Sequence, residues 1–252
     1  MAPQINRRSI LKGTVASLAL LMTRPFQVWS KDMRWPEGLT DVKVTNAGVG
    51  GNNTIDLLNR IDQDCLSLKP DLTILMVGTN DMNSVKHIPL DEYGDNLDQL
   101  VKRIKASGSK LLVMNILPTY EPYLLTRHSA TFYQPEGVQG RREQVNEVVK
   151  KIAERQRVHF LDLGHRFEAI GKIGLDRDSL IQNEVNSNKT DGIHPTANGY
   201  RFIALTIYDY ISFAKLPSAN IVCFGDSITK GDGTTSRDSY PAYLKKLLQD
   251  EK

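Results

Sequence analysis

Two short, mostly apolar runs, at 72–77 and 220–224, carry no charged residue and no apolar/polar alternation that would mark a water-facing side. A strand with that composition must be covered on both faces, which is the situation inside a parallel sheet sandwiched by helices. The segments around these runs supply the helices. From Thr54, a candidate cap, Leu58, Ile61, Cys65 and Leu68 recur at spacings of three and four until Pro70 stops the pattern. Tyr93, Leu97, Leu100 and Ile104 repeat it over 90–107, with Gly108 as the stop; Val145, Val148, Val149 and Ile152 repeat it over 139–156. Further strands are expected at 41–46, after a Trp35-Pro36-Glu37-Gly38 turn, at 110–116 and at 158–163. An irregular stretch is expected over 164–190. Helices are expected at 197–214 and 239–250, the last with Ser239 as cap and Pro241 in its first turn. Strands alternating with helices predict an α/β fold, a three-layer αβα sandwich around a central parallel sheet of about five strands. Right-handed crossovers put every strand's C-terminal end on one edge, where such folds bind ligands.

The run at 220–224 leads directly into Gly225-Asp226-Ser227. Such a corner can lift a hydroxyl above the sheet edge, making Ser227 a candidate nucleophile, or it can be an ordinary turn whose Asp and Ser bond the local backbone. A serine hydroxyl needs a base within hydrogen-bond reach and a third group to orient that base. Among the histidines His87, His128, His159, His165 and His194, His194 is the candidate base, with a carboxylate three residues earlier in a proline-stiffened turn that can fold it onto the imidazole, in Asp191-Gly192-Ile193-His194-Pro195. Asn80, in Val77-Gly78-Thr79-Asn80-Asp81, offers a neutral amide donor for a developing oxyanion, while Asp81 reads as a brace for its loop. The glycine-rich Asn46-Ala47-Gly48-Val49-Gly50-Gly51-Asn52-Asn53-Thr54 could hold backbone N–H donors; no Lys-Ser/Thr pair follows, which argues against a phosphate-binding loop. Position 229 is Thr where an α/β-hydrolase elbow needs a second glycine.

Taken as a set, these blocks resemble the SGNH (GDSL-type) esterase and lipase family, over about residues 38 to 252. The resemblance implies a flavodoxin-like SGNH hydrolase fold with an open, shallow site. It implies Ser227, His194 and Asp191 as catalytic residues, and an oxyanion hole from the Ser227 N–H, the Gly51 N–H (in preference to Gly48 or Gly50) and the Asn80 amide. It gives Asp226 a structural role and requires neither cofactor nor metal. In that family the Gly-Asp-Ser block comes first in the chain, whereas here it comes last. The chain therefore reads as a permuted member in which the block 216–252 has been transposed, and family resemblance inserts the strand 220–224 between 42–46 and 72–77.

Residues 1–30 read as an export signal, with Arg7, Arg8 and Lys12 before an apolar centre at 15–22 and an Asn6-Arg7-Arg8-Ser9-Ile10-Leu11-Lys12 stretch of twin-arginine type. That centre is too short for the roughly 20 residues a membrane span requires, so an exported protein without stable membrane insertion is expected, with residues 31–252 as a single domain. The first 30 residues hold four basic and no acidic groups, leaving 28 Lys+Arg against 29 Asp+Glu, a net charge of −1 that gives no footprint for nucleic acid. Cys65 and Cys223 sit in apolar patterns and are expected buried and reduced. The aromatic-rich connection at 117–136 reads either as a pocket wall or as a surface excursion folded on its own side chains.

The expected activity is hydrolysis of short acyl esters, O-acetyl groups on carbohydrate above others, since no long apolar stretch suits a lipid tail. A lysophospholipase or thioesterase is the rival within the class, and a non-catalytic carbohydrate-binding protein is the rival outside it.

Overall fold

A computed structural model describes residues 42–231 and 238–249; the stretch 1–30 expected to be an export signal and the turn expected at 35–38 lie outside the described residues. In chain order the main elements are β1 (Lys43–Gly48), α1 (Thr54–Asp64), β2 (Leu72–Met76), α2 (Leu90–Ala106), β3 (Lys110–Met114), α3 (Gly137–Gln156), β4 (His159–Leu161), α4 (Leu163–Ile170), α5 (Ala197–Ala214), β5 (Asn220–Gly225) and α6 (Tyr240–Gln249). All strand pairings are parallel and the sheet order is β1-β5-β2-β3-β4. The strand made last thus occupies the second position, between β1 and β2.

Its route there is short. Lys215 ends α5 in the left-handed conformation that closes a helix, and a few residues lead to Asn220, whose backbone N–H donates to Asp71 Oδ2 and whose side chain reaches the Leu68 and Lys69 carbonyls. These bonds register the incoming strand against the start of β2.

Alternation along the strands builds two cores. Leu75, Val113, Val222 and Phe224 face α1, α2 and α3 with Leu57, Ile61, Leu97, Val101 and Val149. Leu72, Ile74, Met76, Leu112 and Cys223 face α4, α5 and α6 with Phe167, Tyr200, Ile203, Ile207 and Leu244. The three-layer sandwich expected from the two continuous apolar runs is the fold observed. Cys65 and Cys223 are free and buried, and burial pushes the Cys65 thiol up to about 11 and the Cys223 thiol higher still.

Three local expectations change. Asn53, not Thr54, caps α1: its side chain accepts from Asp56 N–H while Asp56 accepts from Asn53 N–H, a reciprocal capping box. Thr54 is freed to bond Asp81. The strand expected at 158–163 is only His159–Leu161, because Asp162 accepts from His165 N–H and starts α4 at Leu163, which then runs on into the stretch expected to be irregular. The connection at 117–136 is not featureless; it contains a helical turn at Glu121–Leu124 and a 3₁₀ turn at Ala130–Tyr133, with Leu124 and Tyr133 buried.

Candidate active site

β1, β5 and β2 end side by side, Gly48 opposite Gly225 and Gly225 opposite Met76. The chain then turns at Asp226, whose side chain accepts from Ile228 N–H at 2.9 Å and caps the helical turn Ser227–Lys230. Ser227 therefore stands at the first position of a helical turn, above the C-terminal edge of a central strand. Gly225 is dictated by this close packing: a Cβ there would lie 2.3 Å from Thr229 Oγ1 and 2.5 Å from the Met76 carbonyl oxygen.

Ser227 Oγ lies 2.9 Å from His194 Nε2, and His194 Nδ1 lies 2.9 Å from Asp191 Oδ2. Asp191 Oδ1 also accepts from the Ile193 and His194 backbone N–H groups at 2.8 and 2.6 Å. Burial pushes the Asp191 carboxyl up, but the His194 ring and these N–H donors outweigh it and hold the group down at about 2. A carboxylate can only accept, so the proton between the two side chains belongs to Nδ1 of His194. In the neutral ring Nε2 is then an acceptor, aimed at the Ser227 hydroxyl.

The Asp191–His194 turn is held from two sides. Gln182 N–H donates to the His194 carbonyl and Gly192 N–H to the Gln182 carbonyl, with an antiparallel bridge at Ile181 and Pro195. From the other side Arg127 donates to the Thr190 and Asp191 carbonyls at 2.8 and 2.5 Å. Gly192, at φ +71°, lies where a Cβ would be 2.9 Å from the Tyr120 carbonyl oxygen. The connection at 117–136 thus braces the turn that carries the imidazole.

The glycine-rich loop and the segment after β2 come together with these groups. A Cβ built on Gly50 would sit 4.0 Å from Ser227 Cβ, and Gly51 follows at φ +76°. Asn80 Nδ2 donates to the Asn52 carbonyl at 2.9 Å, which leaves the second amide hydrogen for a ligand, and Asn80 Oδ1 accepts from Asn83. Asp81 braces as expected: its Oδ1 accepts from Thr54 N–H and Thr54 Oγ1 at 2.9 and 2.5 Å, tying the Asn80 segment to the start of α1.

Arginine 60 had no signal in the sequence. From α1, Arg60 reaches the Ala47 carbonyl (2.9 Å), the Gly225 carbonyl (2.7 Å) and Asn52 Oδ1 (2.7 Å), with its guanidinium 4.5 Å from the Phe224 ring centre. One side chain thereby locks the ends of β1 and β5 to the glycine loop. The remaining histidines lie elsewhere: His128 Nδ1 meets Ser84 Oγ, His87 Nδ1 meets the Asp81 carbonyl, His159 meets Tyr210 edge-on and His165 is exposed on α4.

Asp81 and Asp226 are both 1% exposed. Burial pushes each carboxyl up to about 6; the charge of Asp56 adds to the rise at Asp81, and that of Asp81 to the rise at Asp226. With unfolded values near 3.9, the folded chain binds protons in this window that the unfolded chain does not. The penalty of ionising them is full above pH ~6 and vanishes below pH ~4, so stability rises as pH falls from 8 to 5. Asp191 works in the opposite sense, its contribution being lost as pH falls through ~4 toward 2. Urea midpoints measured at pH 8 and 5 check this. Asp226→Asn, which keeps the cap acceptor, flattens the rise by on the order of 2 kcal/mol; an unchanged slope in that variant refutes the assignment.

A family model described as GDSL-like lipase/acylhydrolase matches residues 23–202, a span that ends before Ser227. An acetylxylan esterase of Geobacillus stearothermophilus is 27% identical over 180 residues, covering 68% of this chain and 73% of that protein. An uncharacterized lipoprotein, YqeF, of Bacillus subtilis (strain 168) is 27% identical over 183 residues, 67% of this chain and 73% of its own length. Among solved structures, the acetyl xylan esterase AlAXEase superposes with a TM-score of 0.53 at 23% identity, covering 66% of this chain and 79% of that one, a likeness of fold. With well over half of its length matched, this chain belongs to the GDSL-like lipase/acylhydrolase family and is a carboxylic ester hydrolase.

Proposed function

We propose that the chain is an exported serine esterase that removes short acyl groups, acetyl above others, from carbohydrate. The observation that carries the reading is the relay in which Ser227 Oγ, His194 and Asp191 meet at 2.9 Å on each side of the imidazole. Ser227 Oγ attacks the ester carbonyl carbon as its proton passes to His194 Nε2, and the carbonyl π pair moves onto oxygen. The Ser227 N–H, the Gly51 N–H and the free Asn80 amide hydrogen are assigned to that oxyanion. Collapse breaks the ester C–O bond, the alcohol leaving with the proton from Nε2. Water then attacks the acyl-serine, giving its proton to His194, and the second collapse releases the carboxylic acid and restores Ser227. Asp191 steadies the imidazolium in both halves.

The acetylxylan esterase among the relatives supports the acetyl-carbohydrate preference. The basic leader at 1–30 and a relative that is a lipoprotein support export; among the described residues no helix is long and apolar enough to cross a membrane. The order β1-β5-β2 supports reading 216–252 as a transposed block, since the late strand fills an interior place.

Turnover of acyl esters of two, eight and sixteen carbons tests the substrate class. The two-carbon ester is expected to be preferred, and preference for the longest would instead favour a lysophospholipase or thioesterase. Fluorophosphonate treatment is expected to label Ser227; an unlabelled folded protein would favour a carbohydrate binder without turnover. Asn80→Ala is expected to lower kcat by roughly 10²–10³-fold, the typical cost of one oxyanion donor, and unchanged kcat would remove Asn80 from that role.

A further inference from the structure

Outside the Ser227–His194–Asp191 set, a cavity of about 190 Å³ lies between the Asp81 segment, α2 and α3. Its apolar lining comes from Met82, Ile88, Leu90, Tyr93 and Val145, and its polar lining from Asp81, His87, Glu136, Arg141 and Gln144. Two of these residues carry buried polar atoms without a hydrogen-bond partner: Asp81 Oδ2 and Arg141 Nη1.

Both are held in place by their other atoms. Asp81 spends Oδ1 on Thr54. Arg141 places Nε and Nη2 against Glu136 Oε1, each at 2.7 Å, and its guanidinium packs 4.5 Å from the Phe132 ring centre and 5.1 Å from that of Tyr133. Phe132, Tyr133 and Glu136 all belong to the connection at 117–136, so that connection orients the guanidinium as well as bracing the imidazole turn. A buried donor and a buried acceptor left unmatched each cost free energy that a ligand recovers.

The charge balance selects the ligand. Glu136 already neutralises Arg141, and Asp81 would repel an anion; Arg141 in turn disfavours a cation. What fits is a neutral molecule that accepts from Arg141 and bonds Asp81, with an apolar face for Met82, Ile88 and Val145. Because burial pushes the Asp81 carboxyl up to about 6, the group presents either an acceptor or a donor near neutrality. A hydroxyl answers both, since it can donate or accept.

We propose that this cavity binds a neutral polyhydroxylated unit, a pentose or hexose ring, held by its hydroxyls between Arg141 and Asp81. The proposal goes beyond the esterase reading and does not rest on it. Calorimetric titration of the full chain with D-xylose and D-glucose tests it, with acetate and choline as anionic and cationic controls. Saturable sugar binding on the order of millimolar is expected, with neither control competing. Gln144→Trp, at an exposed position on the cavity rim, is expected to weaken binding at least about tenfold with the melting temperature unchanged, and Asp81→Asn to weaken it as well. No saturable sugar binding up to about 100 mM, tighter binding of acetate or choline, or full binding in the Gln144→Trp chain would each overturn the proposal. None of these readouts involves ester turnover. Failure of fluorophosphonate labelling at Ser227 therefore sinks the esterase reading alone, and failure of the titration sinks the sugar site alone.

Discussion

Ser227→Ala and His194→Ala are each expected to lower kcat on short acyl esters by about 10⁴–10⁶-fold, the scale seen when a member of a serine relay is removed. The size follows from how completely the two groups depend on one another. Oγ is a weak nucleophile until its proton can move to Nε2, and Nε2 is an acceptor only because the Asp191 carboxylate keeps the other proton on Nδ1. No other histidine is placed to take over: His128 is engaged with Ser84, His87 with the Asp81 carbonyl, His159 meets Tyr210 edge-on, and His165 is exposed on α4. Steady-state kinetics on the two-carbon ester, with thermal melts to establish folding, make the comparison. Near-normal kcat in folded His194→Ala protein would move the base elsewhere.

Gly48→Ala is expected to destabilise the chain by at least about 3 kcal/mol, at the upper end for overpacking. A Cβ at Gly48 would lie 2.1 Å from Lys230 N, 2.6 Å from the Thr229 carbonyl carbon and 2.7 Å from Lys230 Cα. All three are backbone atoms of the turn that carries Ser227, so no side-chain rotation relieves the overlap. Either the end of β1 or the Ser227 turn must move, and both are tied to Arg60 through the Ala47 and Gly225 carbonyls. Gly51→Ala is the informative companion. A Cβ there meets nothing within 4 Å, and only the φ of +76° is costly, worth roughly 1–2 kcal/mol. Urea denaturation of both variants decides the matter, and equal losses would show that the close approach at Gly48 is not what excludes a side chain.

The parts of this molecule that were legible in its residues are those governed by short-range periodicity and local turn chemistry. The apolar runs at 72–77 and 220–224 announced strands covered on both faces, and β2 and β5 are such strands, buried between two cores. The pairing of Asp191 with His194 was legible because three residues of one turn separate them, and the side chains do meet. The capping box of α1 was equally local, Asn53 and Asp56 standing three apart, and was missed by placing the cap one residue late. Helix α4 was missed because eight residues with Leu163 and Phe167 inward give a weak periodic signal beside a short strand.

Sequence alone therefore settled the character of the longer segments, which of them are strands or helices, and which turns carry a hydroxyl, an imidazole or an amide. Only the tertiary structure decided which of them meet. Ser227 and His194 lie 33 residues apart in the chain, and their contact at 2.9 Å depends on β5 entering between β1 and β2. The three arginines that lock the arrangement left no local pattern at all: Arg60 across two strand ends, Arg127 on the imidazole turn and Arg141 on the cavity. The reason is physical. A helix or a turn is selected by neighbours a few residues away, whereas a long side chain reaching a distant carbonyl is selected by surfaces that exist only once the sheet has closed.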